Sequence, residues 1–172
     1  MAVFKTINDI VSLALEKERE AVQFYTQASS LVANPGTRVM LKELADEEEK
    51  HVSILIDIQS GKAIETVGTK PLPPAMDLGK YLVSEPIRDN STPQDIMIIA
   101  IKREDKAITF YSSQLPVVSG TELQSVFEHL LRWEQEHKER LEAEYDRVVL
   151  KDNWCLLFNA MMIHNRVKYA NL

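Results

Sequence analysis

Two stretches of this chain share one spacing, Glu48-x-x-His51 and Glu134-x-x-His137, and they stand 86 residues apart. On a helix that spacing sets a carboxylate and an imidazole one turn apart on the same face. One such pair is weak evidence for anything. The same 86-residue shift, however, carries Glu18 onto Glu104, Ala21 onto Ala107, Phe24 onto Phe110 and Tyr25 onto Tyr111. It also carries Thr6, Asp9 and Ile10 onto Thr92, Asp95 and Ile96. A single shift aligns helix starts, apolar stripes and polar interruptions, so the chain reads as two copies of a helical hairpin.

Thr6 suits an N-cap, with Asp9 favoured at the positive end of the first helix. Ile7, Ile10, Val11, Ala14, Ala21, Val22, Tyr25 and Ala28 follow at helical spacing, and the helix should end near Val32. Asn34-Pro35-Gly36 reads as the turn into a second helix from about Thr37 to Ser60, with Val39, Met40, Leu44, Val52, Leu55 and Ile58 apolar and Gly61 as its C′ residue. In the second copy Thr92 caps, Pro93 takes the first helical position, and Pro116 is expected to end the helix after about Gln114. A fourth helix should run from Gly120-Thr121 to beyond Tyr145.

Residues 62–91 lose the periodicity and carry Pro71, Pro73, Pro74, Pro86, Gly68 and Gly79. They read as a long crossover between hairpins, with one short turn near Met76–Val83; a loop of that length is expected only where the architecture needs it. The expected fold is therefore all-α: a four-helix bundle over residues 1–150 whose second and third helices are not adjacent would need such a crossover, with a C-terminal helical extension over 151–172. Trp154, Leu157, Phe158, Met161 and Met162 give that extension an apolar face without a counterpart in the repeat. It is expected to pack on the bundle or on a second subunit, which makes a homo-oligomer, a dimer, the expected assembly.

The formal net charge of −6 offers no basic stripe to replace phosphate counterions, which argues against a nucleic-acid partner. Cys155 is the only cysteine, so a disulfide, a four-cysteine zinc site and a thiolate-held iron–sulfur cluster are excluded within this chain. No stretch approaches the roughly 18 apolar residues of a membrane span, and the acidic residues Asp9, Glu16 and Glu18 are foreign to a targeting segment. The expected location is cytoplasmic.

Four carboxylates, Glu18, Glu48, Glu104 and Glu134, fall among positions that should face the core. An ionised carboxylate there is costly unless it is paired or holds a metal, and the same faces lack basic residues to pair with all four. Two divalent cations balance four carboxylates, and His51 and His137 complete an oxygen-and-imidazole set suited to iron or manganese, with zinc as an alternative. Bundle-core di-iron sites use one Glu from each of two helices and a Glu-x-x-His from each of the other two. Tyr25 and Tyr111 lie two turns beyond Glu18 and Glu104, where they are either core aromatics or donors to a ligand carboxylate in the opposite hairpin. Trp133 reads as packing, and His129 and His164 as surface residues. Glu47, Glu49, Glu136 and Asp105 flank the motifs and read as solvated, with Glu47 or Glu49 taking a ligand's place if the register slips by one residue.

The four motifs, Glu18-x-x-Ala21-x-x-Phe24-Tyr25, Glu48-x-x-His51, Glu104-x-x-Ala107-x-x-Phe110-Tyr111 and Glu134-x-x-His137, resemble those of the ferritin-like di-iron carboxylate superfamily, most closely its rubrerythrin branch. The resemblance covers roughly residues 5 to 148. It implies that Glu48 and Glu134 bridge two iron ions, that Glu18 and Glu104 are terminal ligands, and that His51 and His137 bind one ion each. Two departures bear on function. Rubrerythrins usually carry a four-cysteine rubredoxin domain, whereas this chain has Cys155 alone, so an external electron donor is implied. They also tend to carry a further carboxylate on the third helix, where Ala100, Ile101, Ala107 and Ile108 stand here.

The leading expectation is an oxidoreductase that reduces dioxygen or hydrogen peroxide, in the manner of an oxidative-stress enzyme. A ferroxidase or iron-handling protein is the second reading, and a structural or regulatory metal-binding module the third.

Overall fold

The structure is a computed structural model; it describes residues 6–61 and 85–169, with side chains as far as residue 148. Four helices occupy the described residues: α1 (Ile7–Leu31), α2 (Pro35–Ser60), α3 (Pro93–Val118) and α4 (Leu123–Tyr169). The connections 32–34 and 119–122 are too short for anything but antiparallel neighbours. Accordingly α1 packs along α2 and α3 along α4, and the hairpins meet through α1 with α3 and α2 with α4.

The repeat is visible in the backbone chemistry that starts each hairpin. Thr6 Oγ1 accepts from Asp9 N while the Asp9 carboxylate accepts from Thr6 N, a closed capping box. Thr92 and Asp95 form the same box at the head of α3. The head of α2 is built differently: Asn34 caps it through Gly36 N and Thr37 N, and Pro35 is already helical.

Three helix ends differ from expectation. Pro116 lies inside α3, which continues to Val118; so near the C-terminus the missing N–H costs a single ladder bond. The stop comes from Gly120, whose φ of +72° is a left-handed turn that a side chain would resist. Gly61 closes α2 as its C-cap at φ −94°, without the left-handed conformation of a C′ glycine. Finally, the separate C-terminal helix is not drawn as its own element, because α4 runs unbroken for 47 residues through position 151 to Tyr169. The apolar face of 151–172, His164 and Cys155 lie beyond the described side chains, and most of the crossover, with its expected turn at 76–83, lies outside the described residues.

Two apolar clusters fill the bundle. One joins Ile7, Ile10, Leu13 and Ala14 of α1 to Leu55, Phe110, Tyr111, Val118, Leu123, Phe127 and Leu130. The other joins Phe24, Tyr25, Ala28 and Val32 to Leu41, Leu44, Ile96, Met97, Ala100 and Leu141. Every helix passes from one cluster to the other, and on each the candidate ligands stand between. A polar layer at the waist thus has an apolar plug on either side. Val39, read as part of the α2 stripe, is 55% exposed, and Leu41 fills the core instead.

Candidate metal centre

The six side chains singled out by the repeat all point into that waist, and none is more than 3% exposed. His51 Nδ1 lies 2.9 Å from Glu48 Oε2, 3.2 Å from Glu134 Oε1 and 3.4 Å from Glu18 Oε2. His137 Nδ1 lies 3.1 Å from Glu48 Oε1 and 3.9 Å from Glu134 Oε2. The donor atoms sort into two sets of four, each gathered within 4.8 Å: Glu18, Glu48, His51 and Glu134, and Glu48, Glu104, Glu134 and His137. Glu48 and Glu134 belong to both. The imidazoles stack face to face, 5.4 Å between centroids and 12° from parallel.

A cation fits this donor set on grounds internal to the structure. Glu48 Oε2, Glu104 Oε2, Glu134 Oε1 and His51 Nδ1 are all buried without a hydrogen-bond partner. His51 Nδ1 faces three carboxylates yet is aligned for a hydrogen bond with none of them. Four orphaned donor atoms of ligand type converging in one buried layer would be costly as they stand; divalent ions would satisfy them together.

The electrostatics agree. Burial raises Glu48 and Glu104 well above the ordinary carboxylate range, helped by the charge of Glu18 on the first and of Glu134 on the second. Burial, with the charges of Glu48 and Glu18, lifts Glu134 to about 8. Burial also opposes charge on Glu18, but the neighbouring His51 outweighs it and leaves Glu18 below its usual value. Burial opposes charge on His51 too, yet nearby Glu134, Glu18 and Glu48 overcome it and raise His51 to about 12. His137 is lowered, chiefly by burial. Without cations the cluster must retain protons, and a metal has to displace them.

The two tyrosines cross between hairpins. Tyr25 Oη on α1 donates to Glu104 Oε1 on α3, and Tyr111 Oη on α3 donates to Glu18 Oε1 on α1. Both phenols are pushed well above their ordinary pKa, by burial first and by the glutamate beside each second, so both keep their protons. Glu47, read as solvated, instead lies 3.0 Å from His137 Nε2 and 2.7 Å from Arg140 Nη1. Trp133 lies flat against His51, 5.0 Å between centroids. His129 is exposed, with Nδ1 2.6 Å from the Ser125 carbonyl, and Glu49, Glu136 and Asp105 are exposed as expected.

Above the layer, between α1 and α3, is a cavity of about 50 Å³ reaching Glu18, Glu104, Glu134 and Tyr111. Ala21 and Ala107 line it, and the shortness of these two repeat-related side chains leaves the space. Its rim carries Lys17, Arg103 and Lys106. Sequence periodicity does not mark Lys17, Arg103 or Lys106 as functional, because they lie half-exposed on the flank of each helix. A cavity of that size holds a few water-sized molecules.

Comparison with known proteins places the chain. A family model described as Rubrerythrin matches residues 9–145. No curated protein sequence matches. Among solved structures, a ferritin-like diiron-carboxylate protein of Thermotoga maritima is 22% identical, with a TM-score of 0.69 over 84% of this chain and 97% of the other. A hypothetical protein of Pyrococcus furiosus is 24% identical at a TM-score of 0.64, covering 87% of this chain and 92% of the other. A manganese catalase from Anabaena is 20% identical at 0.60, over 86% and 75%. At these identities the likeness speaks for the fold, an all-helical ferritin-like bundle. With the family match spanning most of its length, the chain belongs to the rubrerythrin family.

Proposed function

We propose that this protein holds two iron or manganese ions and reduces hydrogen peroxide or dioxygen at them. The observation that carries the reading is the pair of four-donor sets sharing Glu48 and Glu134. Glu18 and His51 would complete one position, Glu104 and His137 the other. When bound, such a pair supplies two one-electron changes, enough to reduce peroxide to water. The residues supply the rest. Tyr25 and Tyr111, protonated and buried, fix one oxygen of Glu104 and of Glu18. The apolar clusters on either side keep bulk water from the layer.

The cavity between α1 and α3 gives a small oxidant a place beside the donor set. Its volume suits a molecule the size of peroxide or dioxygen. A manganese catalase among the structures of like fold is in keeping with peroxide as the oxidant. Reducing equivalents come from outside these 172 residues, because one cysteine cannot form a rubredoxin-type centre within them. The setting we favour is the cytoplasm, with the protein acting as a homodimer against oxidants.

Elemental analysis and assay test this together. Purified protein should carry about two metal ions per chain, and should consume peroxide with a supplied reductant or by disproportionation. Protein that oxidises added Fe²⁺ and retains ferric mineral would favour iron handling. Tightly held zinc without redox activity would favour a structural role.

A further inference from the structure

The repeat breaks behind the two histidines. His137 directs Nδ1 to Glu48 Oε1 at 3.1 Å and Nε2 to Glu47 Oε2 at 3.0 Å. Glu47 is itself anchored by Arg140, whose Nη1 lies 2.7 Å away and whose Nη2 reaches Glu43 at 3.1 Å. The residue 86 positions beyond Glu47 is Trp133, and the one beyond Glu43 is His129. Trp133 presents its ring face to His51, 11° from parallel. One imidazole therefore has an anchored carboxylate at its Nε2 edge, and the other has an indole stacked on its ring face.

We propose that Glu47 is a positioning residue that makes the two metal positions unequal. The position formed by Glu48, Glu104, Glu134 and His137 takes its cation first, and the position formed by Glu18, Glu48, His51 and Glu134 fills second. With an ion at Nδ1 the ring's proton stands on Nε2, and Glu47 Oε2, 3.0 Å away, is the group placed to accept it; that fixes the tautomer, holds the ring in plane and makes Nδ1 a better donor. Trp133 fixes the plane of His51 by stacking but accepts no proton. Partners of this kind change metal affinity by about 10–100-fold. Once the first ion is held, the shared Glu48 and Glu134 are partly neutralised, which widens the gap for the second.

This rests on the two-metal reading, and the test separates the two. Metal-free full-length protein is titrated with Co²⁺ in a calorimeter, and protein loaded with one equivalent is crystallised and the ion located by anomalous scattering. Wild type should place the single equivalent beside His137. Glu47→Ala should lower the first-step affinity by about 10–100-fold and spread one equivalent over both positions. Glu47→Gln, which keeps an acceptor oxygen, should retain part of the preference. Trp133→Phe should leave the order unchanged. An even division in wild type, a preference for the His51 position, or a Glu47→Ala protein with the wild-type order would overturn the inference. A protein that takes up fewer than two ions would overturn the two-metal reading instead.

Discussion

The residues that matter most here are polar groups stranded in an apolar place, and their cost is what made them readable. Glu18, Glu48, His51, Glu104, Glu134 and His137 interrupt helical stripes, and the structure gathers them in one buried layer. Glu47 could not be read in this way. It differs from its exposed neighbour Glu49 only in which helix lies opposite, and helical periodicity says nothing about the partner across a bundle. The tyrosines give a prediction at this scale. Tyr25→Phe or Tyr111→Phe removes a donor from Glu104 or Glu18 while keeping the ring that fills the core. Each should weaken metal binding by about 10–100-fold, read by competition with a chromophoric chelator. Melting temperature of the metal-free protein should fall only slightly; a large fall with unchanged affinity would mark both as packing residues.

At the scale of elements, starts were more legible than stops. A capping box is a local pattern, so Thr6 with Asp9 and Thr92 with Asp95 announced α1 and α3. A helix end depends on whether a lost bond is tolerated, which is why Pro116 could sit inside α3 while Gly120 supplied the stop. The length of α4 was missed because a change in apolar pattern after residue 150 resembles a boundary although the backbone continues. Two substitutions test the local devices. Thr92→Ala removes the cap on α3 and should cost about 1 kcal/mol in denaturant unfolding. Gly120→Ala meets nothing within 4 Å of the added carbon, so its penalty, on the order of 1 kcal/mol, comes from the left-handed backbone alone. Neither should alter metal stoichiometry.

For the whole molecule, stability and metal content are linked through protons. Metal-free, Glu134 titrates near 8 when folded against 4.5 when exposed, so between those values the folded chain binds the extra proton and stability falls as pH rises. Glu48 and Glu104 shift in the same direction. His51, about 12 against 6.5, extends the loss above neutrality. Glu18 and His137 are lowered and act oppositely, below the window from pH 6.5 to about 8 set by His51 and Glu134. The metal-free protein should therefore melt at a lower temperature at about pH 8 than at about pH 6.5, and loading with metal should abolish most of the difference. A calorimetric scan of both forms checks this; a metal-free midpoint that climbs with pH would contradict it.

The 86-residue duplication has a consequence for how such a centre can change. Two identical subunits meeting on a twofold axis must furnish each half of their shared site alike, so any alteration appears twice. Joining the halves in one polypeptide lifts that obligation. Glu47 and Trp133 occupy matching places and differ, which a symmetric pair of chains has no means of encoding. Covalent linkage lets each half of the layer acquire its own surroundings.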